Sequence, residues 1–262
     1  MLSEDGRCPV EDAELFVRRL GDGPPLLMIA GGTGSADSFA GLARRLGESY
    51  TVLAYDRRGH FRSTDGASLT VTRHAADARA VIEHFGDGPA LVFGSSAGAQ
   101  IALELAARYP EAVDGLVAHE PPAVRLLPDC EEWLEFAVEQ AGADDIMVAF
   151  RNFVGSIAGA GLPDLKAVRL PNEHEWRTLF SRELVQFYDY LPDVAALRAG
   201  PVPVVLAAGE GSRGYYHYRP ARTLALELGQ PFVEMPGAHL APQRDPAAFA
   251  AALGQVLTEL LA

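Results

Sequence analysis

The stretch that decides the fold reads Leu91-Val92-Phe93-Gly94-Ser95-Ser96-Ala97-Gly98-Ala99-Gln100, where an apolar run meets a Gly-x-Ser-x-Gly pentapeptide and continues with helical character. The pattern predicts a sharp strand-to-helix turn, in which Gly94 and Gly98 lack the Cβ atoms that would hold the two elements apart. Such a turn presents Ser96 as a nucleophile to a general base. The N–H of Ala97, at the start of the helix, would face a developing oxyanion. On the pentapeptide alone, an ordinary turn without chemistry stays open, because glycine and serine are common turn residues.

The composition is that of a soluble globular protein rich in acidic groups. Its 262 residues carry a formal net charge of −13, with 22 lysines and arginines against 35 aspartates and glutamates. The basic residues form no runs, so nucleic acid and anionic membrane surfaces are poor candidate partners. The length allows either one large domain or a core domain with an insertion.

Two features bear on the compartment. The first ten residues carry Glu4 and Asp5 and lack the apolar stretch of a signal peptide, and no run of about 18 apolar residues occurs anywhere. Cys8 and Cys130 are isolated thiols outside any Cys-x-x-Cys pattern, as expected in a reducing compartment, although a disulfide between them stays open. We therefore expect a cytoplasmic protein.

Short apolar segments alternate with helical patterns over most of the chain. Strands are predicted at residues 13–20, 26–30, 51–55, 90–93, 113–118, 203–208 and 231–235. Helices are predicted at residues 39–46, 70–85, 97–109, 219–228 and 246–261. This alternation is typical of βαβ units, and it predicts an α/β fold with a mostly parallel central sheet flanked by helices.

The alternation breaks between residues 121 and 198. Three helical patterns, at 130–140, 144–157 and 174–190, follow one another without a convincing strand. We interpret residues 121–198 as a helical cap inserted into a core of residues 1–120 and 199–262. Aromatic residues recur in the cap at helical spacing, and most should form its own core while a few face the substrate cleft.

A glycine-rich loop, Gly31-Gly32-Thr33-Gly34-Ser35, follows the second predicted strand. It has neither the Walker spacing nor the Gly-x-Gly-x-x-Gly pattern, which argues against nucleotide binding. Such a loop can instead aim a backbone N–H at an oxyanion, and this use fits a serine nucleophile better.

Four landmarks in this order resemble the α/β-hydrolase family: Ala30-Gly31-Gly32-Thr33-Gly34, Asp56-Arg57-Arg58-Gly59, Gly94 to Gly98, and Gly237-Ala238-His239. The resemblance covers nearly the whole chain outside the cap. It implies that His239 is the general base and that the N–H groups of Gly32 and Ala97 form the oxyanion hole. Ala30 stands where many members have histidine, but the loop acts through its backbone.

The acidic partner of His239 departs from the family pattern. The usual position, after the strand at 203–208, reads Gly209-Glu210-Gly211-Ser212, with serine where the acid is expected. Some members carry the acid after the strand that follows the nucleophile helix, and Glu120 matches that place. A carboxylate is needed to fix the histidine tautomer, so we favour Glu120, with Glu210 as the alternative. A purely structural Glu120 also stays open.

The other polar residues of these loops are assigned structural roles. We expect Asp56 and Arg57 to brace the active-site loops through hydrogen bonds. Histidines in loops or on polar helix faces are interpreted as solvated or structural, namely His60, His74, His84, His174 and His217. His119 stays unassigned because it borders the candidate acid.

The sequence therefore predicts a serine hydrolase that cleaves an ester, thioester, lactone or amide of a moderately apolar small molecule through Ser96, His239 and Glu120. We expect no cofactor and no metal. A serine at position 96 argues against epoxide hydrolase or haloalkane dehalogenase chemistry, which needs a carboxylate there. Two alternatives stay open: a non-hydrolytic biosynthetic enzyme on the same fold, and a ligand receptor that uses the capped cavity. The sequence leaves monomer and homodimer open as well.

Overall fold

The computed structural model describes residues 3–157 and 172–261, and its strands form a single sheet. They are β1 (Ser3–Val10), β2 (Ala13–Leu20), β3 (Pro25–Ile29), β4 (Thr51–Tyr55), β5 (Ala90–Ser95), β6 (Val113–His119), β7 (Val204–Gly209) and β8 (Phe232–Met235). Their order in the sheet is β1-β2-β4-β3-β5-β6-β7-β8. β1 and β2 pair antiparallel, as do β2 and β4, while β3 to β8 are parallel to their neighbours. The predicted α/β class with a mostly parallel sheet is confirmed.

Helices cover both faces of the sheet and build the cap. They are α1 (Ala40–Leu46), α2 (Val71–Phe85), α3 (Ala97–Arg108), α4 (Cys130–Ala141), α5 (Ile146–Ile157), α6 (Glu173–Thr178), α7 (Leu184–Asp189), α8 (Val194–Ala199), α9 (Tyr218–Leu228), α10 (Ala241–Arg244) and α11 (Pro246–Leu260). A π-helical segment, Leu179–Glu183, joins α6 to α7. The single helix predicted at 174–190 is thus interrupted by a wider turn.

Alternate residues of the central strands enter two different hydrophobic clusters. Leu27 and Ile29 of β3 pack with residues of α2, α3 and α9 on one face of the sheet. Leu26 and Met28 pack with residues of α1 and α11 on the other face. Since both faces are buried, the central strands read in the sequence as continuous apolar runs.

The first strand was missing from the sequence predictions. β1 forms the sheet edge, and it pairs with β2 through a turn at Asp12, whose φ is +59°. Among the β1 residues with described side chains only Cys8 is buried, so the strand lacks the apolar pattern that identifies its neighbours. Cys8 and the half-buried Cys130 are both free thiols.

The cap helices, α4 to α7 with the π-helical segment, have a hydrophobic cluster of their own. It includes most of the aromatic residues expected there, among them Phe150, Phe153, Trp176 and Phe180. Leu197 of α8 packs instead in the core cluster that holds α2 and α3. The division at residues 121–198 remains a prediction, and part of it, 158–171, lies outside the described residues. Among the described helices, none has the length and apolar character to cross a bilayer.

The strand order creates a crevice beside β3. The chain leaves β3 for β4 on one side and later returns to place β5 on the other side. Ligands in open α/β sheets bind at such a switch point, beyond the carboxyl ends of the strands. β5 ends there, directly before Ser96.

Candidate active site

Ser96 occupies a strained turn between β5 and α3. Its φ is 58° and its ψ is −128°, a conformation that non-glycine residues rarely adopt. A Cβ atom on Gly98 would lie 2.1 Å from the carbonyl oxygen of Ile29, and one on Gly94 would lie 2.3 Å from the Gly98 carbonyl oxygen. Both positions therefore require glycine, and the close approach that they permit holds the serine at the carboxyl end of the sheet.

Glu120 lies at the end of β6 and contacts His239. Its Oε2 is 2.6 Å from His239 Nδ1, and its Oε1 accepts a hydrogen bond of 2.8 Å from the N–H of Gly209. Glu120 is fully buried and has a φ of +48°, whereas Glu210 is exposed. Of the two carboxylates considered from the sequence, the structure brings Glu120 to the histidine and leaves Glu210 in solvent.

The surroundings of Glu120 favour its ionised form. Burial by itself would raise the pKa of this carboxyl, but the nearby His119 and the hydrogen bond from His239 outweigh burial and hold the pKa below its ordinary value. A carboxylate on Nδ1 fixes the proton there and leaves Nε2 of His239 as the basic ring nitrogen.

His217 is a second histidine on the same carboxylate. Its Nε2 lies 3.3 Å from Glu120 Oε2 and 3.2 Å from Ser212 Oγ. Burial lowers the pKa of His217 to about 3, so the ring is neutral, and its Nε2 faces both oxygens. Ser212 is the residue at the family's usual acid position, and the histidine that it contacts was expected to be solvated or merely structural.

His119 borders the acid without contacting the cavity. Its Nδ1 lies 2.9 Å from Ser95 Oγ, and burial lowers its pKa to about 4. The ring packs edge-on against Phe249 of α11, with centroids 5.3 Å apart. A neutral, fully enclosed ring of this kind supports the strand ends rather than exchanging protons with a substrate.

A cavity of about 300 Å³ lies over the nucleophile, and His239 lines it together with Ser96. Gly31 and Gly32 form its wall on the side of β3. The apolar lining comes largely from the cap and comprises Phe150, Phe153, Val154, Ile157 and Trp176. The cavity is therefore a mainly apolar chamber with a serine and a histidine at one end.

The two predicted oxyanion donors are held by different elements. Ala97 is the first residue of α3, where an N–H group has no partner within the helix. Gly32 lines the cavity, and a Cβ atom there would lie 3.0 Å from Leu179 of the π-helical segment. A Cβ atom on the adjacent Gly31 would lie 3.5 Å from Ser96 Oγ, so the glycine loop passes directly beside the nucleophile.

Asp56 and Arg57, expected to brace the loops, do make such contacts. Asp56 accepts from the N–H of Ala36 at 2.7 Å and from Arg62 Nε at 2.6 Å. Arg57 donates to both carboxylate oxygens of Glu183, at 2.9 and 3.0 Å, and these two side chains are fully buried. Glu183 belongs to the π-helical segment, so this ion pair joins the core to the cap.

The outlying histidines divide between exposed positions and a buried cluster. His84 and His174 are exposed, but His60 and His74 are buried beside Glu183. His60 Nε2 and His74 Nε2 lie 3.1 and 2.8 Å from its carboxylate oxygens, and His60 Nδ1 lies 3.0 Å from Glu175. Sequence reasoning could not find the two glutamates, because more than 100 residues separate them from their partners and no local motif marks them.

One group of residues has the spacing of a metal site. Glu120, His217 and His239 each place a ligand atom within 4.8 Å of the others. The hydrogen bond between His239 and Glu120 accounts for this closeness without an ion.

Comparisons with known proteins agree with this fold. The sequence model of the alpha/beta hydrolase fold matches residues 24–149. The uncharacterized hydrolase YraK of Bacillus subtilis is 33% identical over 251 residues, covering 91% of this chain and 90% of its own. Lipase LipV of Mycobacterium tuberculosis is 28% identical over 255 residues, covering 92% and 96%. A solved thermophilic esterase from Thermogutta terrifontis has a TM-score of 0.79 at 18% identity, covering 98% of this chain and 99% of that chain. The chain belongs to the α/β-hydrolase family, and it is an α/β-fold hydrolase.

Proposed function

We propose that this hydrolase cleaves carboxylic esters of small, moderately apolar molecules through a Ser96, His239 and Glu120 triad. The observation that carries the proposal is the joint placement of Ser96 and His239 in one cavity, with Glu120 2.6 Å from the far side of the imidazole. A lactone or thioester presents the same acyl carbon and would react by the same steps. The similarity to proteins described as a lipase and an esterase supports an ester bond.

In the proposed reaction, Ser96 Oγ attacks the ester carbonyl carbon while His239 Nε2 takes the hydroxyl proton. The carbonyl oxygen becomes an oxyanion that accepts hydrogen bonds from the N–H groups of Gly32 and Ala97. His239 then gives the proton to the departing alcohol, which leaves an acyl group on Ser96. Water attacks this acyl-enzyme by the same route and releases the acid. None of these steps uses a cofactor.

The cavity sets the expected substrate. Its volume of about 300 Å³ and its lining of Phe150, Phe153 and Trp176 suit an acyl group of modest size with little polarity. We therefore expect short to medium acyl chains to react faster than long ones.

The test is the intact mass of the protein after exposure to a fluorophosphonate, which marks serines that a neighbouring base activates. We expect a single adduct that is lost in Ser96→Ala and retained in Ser95→Ala, the matched neighbour. Hydrolysis of p-nitrophenyl esters from acetate to octanoate then measures the chain preference. An unmodified wild-type mass, or an adduct that survives Ser96→Ala, would refute the proposed nucleophile.

A further inference from the structure

The carbonyl group of Gly31 is held by two donors. The N–H of Gly34 lies 2.9 Å from its oxygen, and Arg57 Nη2 lies 3.1 Å from it. A trans peptide is planar, so the N–H of Gly32 points away from the carbonyl oxygen of Gly31. Whatever fixes that carbonyl therefore also fixes the direction of the Gly32 N–H, which the proposed function assigns to the oxyanion.

The guanidinium of Arg57 is itself held by the cap. Arg57 Nη2 donates to Glu183 Oε2 at 3.0 Å as well as to Gly31, while Nη1 donates to Glu183 Oε1 at 2.9 Å. The ring of Phe187 in α7 lies 5.4 Å from the guanidinium carbon. A continuous line of contacts thus runs from a cap carboxylate, through one guanidinium, to the peptide beside the nucleophile.

Burial makes this connection stiff. Both side chains of the Arg57 and Glu183 pair have no solvent exposure, and the two-pronged geometry allows one mutual orientation of the planar groups. His60 and His74 hold the same carboxylate from further sides. Glu183 therefore cannot shift without disturbing Arg57.

We propose that Glu183 is a positioning residue for the oxyanion hole. It holds Arg57 against the carbonyl of Gly31, and the N–H of Gly32 is aimed at the reacting oxygen only while the cap helices are seated on the core. The inference rests on the proposed function, because it takes Gly32 as an oxyanion donor. It adds that a cap residue outside the substrate cavity orients the N–H group that stabilises the transition state. Catalysis therefore depends on the contact between the cap and the core.

The test compares Glu183→Gln with Arg182→Gln. Arg182, the preceding residue, also ties the cap to the core, through Asp65 and the carbonyl of Gly66, but it does not contact Arg57. With p-nitrophenyl butyrate as substrate, we expect Glu183→Gln to lower kcat by about 10- to 100-fold with KM within about twofold, since a misaimed donor weakens only the transition state. Arg182→Gln should leave kcat within about twofold of the wild type.

A second readout separates donor alignment from general loosening. An alkyl trifluoromethyl ketone adds Ser96 Oγ to its carbonyl carbon while the serine proton passes to His239, and the ketone oxygen becomes an oxyanion. The matching methyl ketone largely stays a ground-state ligand. We expect Glu183→Gln to weaken inhibition by the trifluoromethyl ketone in parallel with kcat and to leave methyl ketone binding unchanged. Equal weakening of both ketones would overturn the proposal.

Arg57→Lys covers the case in which Glu183→Gln does not fold. Lysine keeps a cation opposite Glu183, but it lacks the fork that contacts Glu183 and Gly31 together. We expect the same loss of kcat, and wild-type kcat in folded Arg57→Lys would overturn the proposal. If the proposed function itself is wrong, the wild-type protein will show no turnover that depends on Ser96. That result differs from every outcome that would overturn the positioning role of Glu183.

Discussion

Oε2 of Glu120 lies 2.6 Å from Nδ1 of His239, although 119 residues separate the two along the chain. Glu120 reaches this position from the end of β6, and a second bond from the N–H of Gly209 ties its other oxygen to the neighbouring strand β7. The carboxylate is thus fixed by two adjacent strands of the sheet.

This contact predicts that Glu120→Gln lowers kcat by about 10³- to 10⁴-fold, because an amide in this place supports the wrong histidine tautomer. Initial rates on p-nitrophenyl butyrate measure the loss. Glu210→Gln is the matched control, since Glu210 is exposed, and it should leave kcat unchanged. Loss of activity in Glu210→Gln alone would move the acid to that position.

His217→Phe should lower kcat by about tenfold with KM little changed, because it keeps a ring in this place but removes the imidazole nitrogen that lies 3.3 Å from Glu120 Oε2. It should also make the protein lose less unfolding free energy between pH 7 and pH 4. Burial lowers the pKa of folded His217 to about 3, so the unfolded chain binds this proton first and His217 costs stability as the pH falls below about 6.5. Phenylalanine takes up no proton and removes that cost. Ser212→Ala, which leaves His217 in place, should shift both quantities less. Urea unfolding at the two pH values measures the change, and an equal or larger loss in His217→Phe would contradict this.

His60 predicts a pH-dependent stability of opposite sign. Burial lowers its pKa, but the charge of Glu183 and the hydrogen bond to Glu175 overcome both burial and the repulsion from Arg57, so the pKa of His60 is raised. The contribution of His60 to stability is therefore fully present below about pH 6.5 and is lost as the pH rises through the folded value. Urea unfolding should show a larger difference between wild type and His60→Gln at pH 6 than at pH 9. An equal or reversed difference would contradict the raised pKa.

Gly98→Ala should destabilise the protein by about 3 kcal/mol, because the added methyl group meets the backbone of β3 at 2.1 Å. Gly142→Ala, at the end of α4, is the matched change. Gly142 has a φ of −91°, and a Cβ atom there would lie 3.5 Å from its nearest neighbour. We therefore expect the free energy of unfolding to change by no more than about 0.5 kcal/mol. Thermal unfolding measures both variants. Equal melting temperatures of the two variants would contradict the prediction, because the turn between β5 and α3 would then accommodate the extra methyl group.

The sequence was most informative where physical demands are local. Strands β3 to β8 were predicted close to their observed bounds because each is a short, largely apolar run bounded by turn residues, and β2 because its apolar and polar residues loosely alternate. Gly94 and Gly98 were identified as parts of the strand-to-helix turn because so sharp a turn leaves no room for a larger residue. The edge strand β1 escaped because it buries little apart from Cys8.

Non-local partners could not be predicted in the same way. Glu183 lies 126 residues after Arg57, in a segment that the sequence predicts only as part of a cap helix. Only the fold brings the two side chains together. His217 lies between Tyr216 and Tyr218, and only the fold brings it to Glu120. Ionic and hydrogen-bonded pairs of this kind leave no periodic signal in the chain.

The two thiols differ in a way that makes the unmodified protein useful for fluorescence. Cys8 is buried in the sheet edge and burial raises its pKa to about 11, so it is inert to alkylation at neutral pH. Cys130 begins α4 and is half-buried. A maleimide dye would therefore attach to the cap alone, and its emission would report the separation of the cap from the core as the protein unfolds.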